Sequence, residues 1–238
     1  LDPVSPVGGR TLYACGYGRG VYKSTDNGRN WTLKNRGIEE KDPFAWRITR
    51  AVDGTLYLVV VRSNEGRLSE TTGAGALYKS ADGAENWTRM KLPEHCNGPA
   101  GLTLDPSNNR RMYLAAWGQE REDFDIGGGV FLSTDAGETW KQIFKESQHV
   151  YDVTVDPRNP KVLYNCGFDA AAFRSTDGGA HWSRIRGFNF KWGHSVILDP
   201  VDRSKIYITT YGGSVWHGPA AGDPKALGDI LTPVPVAW

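Results

Sequence analysis

The sequence predicts an all-β fold, a β-propeller of four-stranded antiparallel blades with about five blades in this chain. Three observations predict it: a box of the form Ser-x-Asp-x-Gly-x-x-Trp recurs four times, a tyrosine-marked strand precedes each box, and apolar strands ending in Asp-Pro recur at matching spacing. One such set every roughly 40 to 50 residues is the size of a propeller blade.

The boxes run from Ser24 to Trp31, Ser80 to Trp87, Ser133 to Trp140 and Ser175 to Trp182. Each follows a short alternating strand, such as Gly20-Val21-Tyr22-Lys23, and leads into another that begins at the Trp. That pattern predicts a hairpin turn. Asp26, Asp82, Asp135 and Asp177, with the box serines, bond backbone amides in the turn, and Gly permits positive φ. Trp31, Trp87, Trp140 and Trp182 fold their rings back over the turn and fill the blade's edge. The four aspartates are structural on this reading, not catalytic.

Strand tyrosines at Tyr13, Tyr57, Tyr113, Tyr164 and Tyr207 divide one propeller domain, 1–238, into units of approximately 1–45, 46–96, 97–147, 148–190 and 191–238. Asp-Pro closes the inner strand at Asp105, Asp156 and Asp199, with Asp53-Gly54 as a variant. The first unit keeps only Leu1-Asp2-Pro3 of its inner strand, and the fifth has Gly218-Pro219 where a box is expected. Two expectations follow: the tail from Leu231 to Trp238 closes five blades, or the chain is an arc of a larger propeller with sequence before Leu1, an export signal included.

Composition narrows the partners. With 28 basic and 27 acidic residues the net charge is +1, so no global field draws the chain to nucleic acid. No apolar run reaches the roughly 18 residues of a membrane span. Cys15, Cys96 and Cys166 cannot all pair, and no metal-ligand spacing involves them. Neither a metal nor a cofactor is expected.

In a four-strand meander the box turns mark one face. The loops between the second and third strands, and the connections between blades, converge on the other, where function is sought. The connections bring Trp46, Arg47, Asn97, His149, Tyr151, Asp152, Lys191, Trp192 and His194 to that face. The loops bring Tyr17, Trp117, Phe168 and Tyr211, each four residues after a strand tyrosine, and two insertions, 62–73 and 119–127. The second insertion carries Glu120, Glu122, Asp123 and Asp125. Aromatic faces stack on sugar rings and carboxylates accept hydroxyl hydrogen bonds, so this set suits a glycan groove. Alternatively, the aromatics cap sheet edges and the acids solvate a loop. Cleavage of a glycosidic bond needs two flanking carboxyls. Asp152 is the first candidate, partnered by Glu120, Glu122, Asp123 or Asp125.

The boxes, with the Asp-Pro and Tyr positions, resemble the Asp-box (bacterial neuraminidase repeat) superfamily across nearly the whole chain. Its members include sialidases, xyloglucan-cleaving propeller glycosidases, sortilin-type receptors and photosystem II assembly propellers, so the resemblance implies architecture more than activity. The stretch Gly212 to Pro224 is similar to the ending of secreted bacterial glycosyl-hydrolase-like proteins. The arginine triad and Tyr-Glu pair of a sialidase cannot be placed. The resemblance implies an extracytoplasmic propeller that binds a polysaccharide or glycan, alone or as part of a glycoside hydrolase. The rival expectation is a non-catalytic scaffold with a protein partner.

Overall fold

Short alternating runs bounded by Gly and Asp corners fold as antiparallel hairpins, and here they do so in five successive meanders. The computed structural model describes residues 1–62, 75–120, 125–144, 149–168, 171–190 and 192–226, with residues 119, 120, 125 and 126 described by their backbone. The first sheet joins β1 (Leu12–Gly16), β2 (Gly20–Ser24) and β3 (Thr32–Leu33). The second joins β4 (Ala45–Arg50), β5 (Leu56–Val60), β6 (Ala76–Ser80) and β7 (Thr88–Arg89). The third joins β8 (Pro99–Asp105), β9 (Asn108–Ala116), β12 (Gly129–Ser133) and β13 (Lys141–Phe144), and between β9 and β12 a separate small hairpin pairs β10 (Gln119–Glu120) with β11 (Asp125–Ile126). The fourth joins β14 (Val150–Val155), β15 (Leu163–Gly167), β16 (Ala172–Ser175) and β17 (Ser183–Arg184), and the fifth β18 (Gly193–Leu198), β19 (Lys205–Thr210) and β20 (Val215–Pro219). These five sheets are propeller blades. The inner strands β4, β8, β14 and β18 adjoin in order, and the hydroxyls of Thr49 and Thr154 donate to Leu102 and Val196 on the next inner strand.

The apolar core lies between blades. Val21, Leu58 and Tyr78 fill the seam of blades 1 and 2; Tyr57, Leu77 and Leu114 that of blades 2 and 3. Tyr113, Val130 and Leu163 fill the next, and Tyr164, Cys166 and Ile208 the last. The strand tyrosines Tyr13, Tyr57, Tyr113 and Tyr164 thus pack toward the following blade, whereas Tyr207 of the last blade stacks on His217. The three thiols are free, and Cys15 and Cys166 hold equivalent strand positions.

The boxes are turns of one geometry. In each, the Ser hydroxyl donates to the Asp at 2.7–2.8 Å and accepts the amide four residues on. The Asp accepts the amide four residues beyond it at 2.9 Å. The side chain of Asn86 or Thr139 also bonds the Asp, the largest cause at Asp82 and Asp135, as do those of Asn30 and His181, and together these bonds hold the four aspartates below the usual carboxylate range, to about 2 for Asp26, Asp82 and Asp135. The glycine of the box has φ of 84°, 87° and 93° at Gly28, Gly137 and Gly179, but the second box holds Ala84 there, at 70°. That left-handed alanine departs from the expected pattern and is kept in place by complete burial.

The tryptophan rings lie over their own turns, with Trp31 and Trp182 donating to Gly28 O and Gly179 O, and three of the four also reach the preceding blade. The indole of Trp87 donates to Lys34 O at 2.8 Å, that of Trp140 to Lys91 O at 3.1 Å, and that of Trp182 to Ile143 O at 3.0 Å. Each acceptor belongs to the outer strand of the preceding blade or lies one or two residues after it. Trp31 bonds only within its own turn, to Gly28 O, and stays 42% exposed, whereas Trp87 is 4% exposed. Trp87→Ala should therefore cost about 3–5 kcal/mol in denaturant unfolding. Trp31→Ala should cost less than ~1 kcal/mol by the same measurement.

Candidate functional site

Four inner strands share an irregularity that periodicity does not show. Pairing with the second strand skips one residue near the start of each: Trp46 in β4, Ala100 in β8, Tyr151 in β14 and His194 in β18. A bulge of this kind leaves one residue out of the ladder and re-aims its side chain. All four bulged residues line one cavity of about 310 Å3. Tyr17, Val61, Arg62, Gly98, Pro99, Trp117 and Tyr211 complete its wall. No box residue takes part, so the cavity opens on the face opposite the boxes, as the meander predicts.

The rings stand nearly edge-to-face around the cavity. Tyr17 and Trp46 lie 6.5 Å apart at 75°, Trp46 and His194 6.2 Å at 87°, His194 and Tyr211 4.8 Å at 84°, and Trp117 and Tyr151 5.4 Å at 74°. The Arg62 guanidinium lies 4.0 Å over the Trp117 ring, a cation–π contact. Burial, with Tyr211 nearby, pushes the Tyr151 phenol up to about 12, and burial likewise raises Tyr211. Burial lowers His194 against the opposing pull of Asp152. At neutral pH the wall therefore offers ring faces, the protonated phenols of Tyr151 and Tyr211, the neutral imidazole of His194 and the Arg62 guanidinium. Among the described residues no carboxylate lines it.

Asp152 sits just outside that wall. It is 4% exposed, its Oδ1 accepts Arg47 Nη1 at 2.5 Å, and its Oδ2 accepts the Ser195 hydroxyl. Cys166, fully buried nearby, has its thiol raised chiefly by desolvation and then by the Asp152 charge.

Of the residues expected at this face, the structure brings together Tyr17, Trp46, Trp117, Tyr151, His194 and Tyr211, with Arg47 and Asp152 outside the lining. His149, Phe168 and Trp192 form an adjoining stack: His149 lies 4.0 Å from Trp117 at 19°, and Phe168 5.5 Å from Trp192 at 8°. Asn97 instead pins the root of the insertion, donating to Gly118 O at 3.0 Å. Glu122, Asp123 and Lys191 lie outside the described residues, as do the side chains of Glu120 and Asp125. Sequence reasoning missed Arg62, Ala100 and Ser195. Val61, just before Arg62, holds the position four after Tyr57 where other blades place aromatics, and Ser195 follows His194; both were legible signals.

Burial, with Arg62 second, lowers His149 to about 4 from an ordinary value near 6.5, and its buried Nδ1 has no hydrogen-bond partner among the described residues. Between those values the unfolded chain binds the extra proton, so this contribution to stability is present above pH 6.5 and is lost as pH falls toward 4. Thermal melts from pH 7 to 4.5 should fall less steeply for His149→Phe than for the wild type.

Residues 19–165 match the family Sortilin-Vps10, described as "Sortilin, neurotensin receptor 3". Xyloglucanase Xgh74A of Acetivibrio thermocellus is 28% identical over 185 residues, covering 63% of this chain and 20% of that protein. An ancestral GH74 enzyme superposes with a TM-score of 0.64 at 23% identity, over 86% of this chain and 26% of that one. YCF48 bound to D1 peptide does so with a TM-score of 0.59 at 16% identity, over 90% of this chain and 66% of that one. The two structures support the propeller fold, and the chain spans about a fifth of the xyloglucanase's length. It is thus a propeller related to glycoside hydrolases, and since the Sortilin-Vps10 match takes in more than half of its residues, the chain belongs to that family.

Proposed function

We propose that this chain is an exported Asp-box propeller that binds a polysaccharide through the aromatic cavity and works as part of a larger glycoside hydrolase. The observation that carries the reading is the wall of Tyr17, Trp46, Trp117, Tyr151 and Tyr211 on the loop face. Ring faces stack on the apolar faces of sugars, while the phenols and indoles supply the few directed polar contacts that a small-ligand site needs. The similarity to a xyloglucanase favours a β-linked glucan with side chains as the polymer.

On this reading the chain contributes binding, and Asp152 is not its catalytic acid. Asp152, held by Arg47 and Ser195, is occupied as an acceptor on both oxygens. Glu120, Glu122 and Asp123, on the insertion after Trp117, are the acids to test for a share in cleavage. A second reading, a scaffold that binds protein, is favoured by the sortilin family match and by the absence of carboxylates from the cavity wall among the described residues.

Retention on immobilised xyloglucan, scored together with release of reducing ends, separates the two. Binding is expected, and Trp46→Ala or Tyr151→Ala should each weaken it about tenfold, the factor that ~1.4 kcal/mol makes. Absence of retention, together with stoichiometric capture of one protein partner, would transfer the assignment to the scaffold.

A further inference from the structure

The three residues that hold the Asp152 cluster follow directly on three of the bulged residues. Arg47 follows Trp46, Asp152 follows Tyr151, and Ser195 follows His194. They come from blades 2, 4 and 5, so one carboxylate ties together three inner strands that share no sheet. The equivalent position of blade 3 is Gly101, and a Cβ there would lie 2.8 Å from Asp152 Oδ1 and 2.9 Å from Tyr151 O. A side chain in blade 3 would push the carboxylate out of its place. Glycine at 101 is thus part of the same arrangement, although its backbone is not left-handed.

We infer that Arg47, Asp152 and Ser195 form a cross-channel clamp whose role is to position the rings of Trp46, Tyr151 and His194 in the cavity, so that residues 47, 152 and 195 are positioning residues for the ligand. A bulge is a local departure from the ladder, and the unpaired residue has few backbone bonds to fix it. Fixing the next residue on each strand removes that freedom. The carboxylate suits the task because it accepts from two directions at once, a guanidinium on one oxygen and a hydroxyl on the other. Trp46 meets His194 at 6.2 Å and His194 meets Tyr151 at 6.2 Å, so the three rings that the clamp would orient are themselves in sequence around the wall. The inference deepens the carbohydrate reading and rests on it for the identity of the ligand.

The test uses the whole chain in three forms, Ser195→Ala, Ser195→Thr and Asp152→Asn. It has four readouts: the near-ultraviolet circular dichroism of the aromatic wall, the thermal midpoint, affinity for xyloglucan oligosaccharides, and release of reducing ends. Ser195→Ala, which removes one hydroxyl, should keep a midpoint near that of the wild type, lose part of the aromatic signal and bind about tenfold more weakly. Ser195→Thr, which keeps the hydroxyl, should restore both. A Ser195→Ala protein with the wild-type spectrum and wild-type affinity overturns the clamp, whether or not Asp152→Asn folds. So does a folded Asp152→Asn that binds normally but no longer releases reducing ends, since Asp152 would then act on substrate. If the wild type binds no oligosaccharide while the spectrum still falls in Ser195→Ala and returns in Ser195→Thr, the clamp stands and the carbohydrate reading is what fails.

Discussion

The indole N–H of the box tryptophan, donated to the outer edge of the preceding blade, is the contact that turns separate meanders into one radial array. A four-stranded sheet left alone exposes two faces, and nothing in its own hydrogen bonding says how the next sheet should lie against it. Trp87, Trp140 and Trp182 each reach across to the carbonyl of Lys34, Lys91 or Ile143, and the buried apolar seams close beneath them. The Ser and Asp of the box act one step earlier. By bonding the turn's own amides they fix the direction in which the chain leaves the hairpin, and so the direction in which the ring projects.

That ordering explains why the fold was legible in the sequence. Everything the architecture depends on is local or repeated: a turn of eight residues, a tyrosine on the second strand, an Asp whose carboxylate caps the turn after the inner strand, as at Asp105 and Asp199. Repetition supplies what a single copy cannot, because a spacing that recurs identifies which residues share a role. The destination of the tryptophans was less visible. Ring burial is readable from the residue type, but the acceptor lies 39 to 53 residues back, on another blade, and only coordinates connect the two.

The site was legible in outline and hidden in detail for the same reason. Trp46, Tyr151 and His194 stood out because they break the repeat at a face that the meander assigns to function. The bulges that deliver them are a shift of one residue in pairing, and alternation over so short a strand reads the same with or without it. Asp152 drew attention as an acid near Tyr151 and His149. Its pairing with Arg47, 105 positions away, and with Ser195 has no sequence signature at all. A carboxylate in a cleft and a carboxylate under a cleft look alike in one dimension.

A propeller of equal blades would present a symmetric rim, and a symmetric rim recognises nothing that lacks the same symmetry. Function in such a fold has to enter through positions where the blades differ. Here the difference is concentrated at the bulge and the residue after it: Trp46-Arg47, Ala100-Gly101, Tyr151-Asp152 and His194-Ser195. The first member of each pair sets what the cavity presents, three rings and one methyl; the second sets what lies behind, a cation, a space, an anion and a hydroxyl. The two sets are chemically complementary within themselves, aromatic in front and ion-paired behind. Polar groups that would otherwise be costly to bury are satisfied by one another, and among the described residues the cavity wall is left with Arg62 as its one formal charge. Separating those two layers by a single peptide bond lets one strand start serve both recognition and cohesion, which is why a change at residue 47, 152 or 195 should be felt at its neighbour before it is felt by the fold.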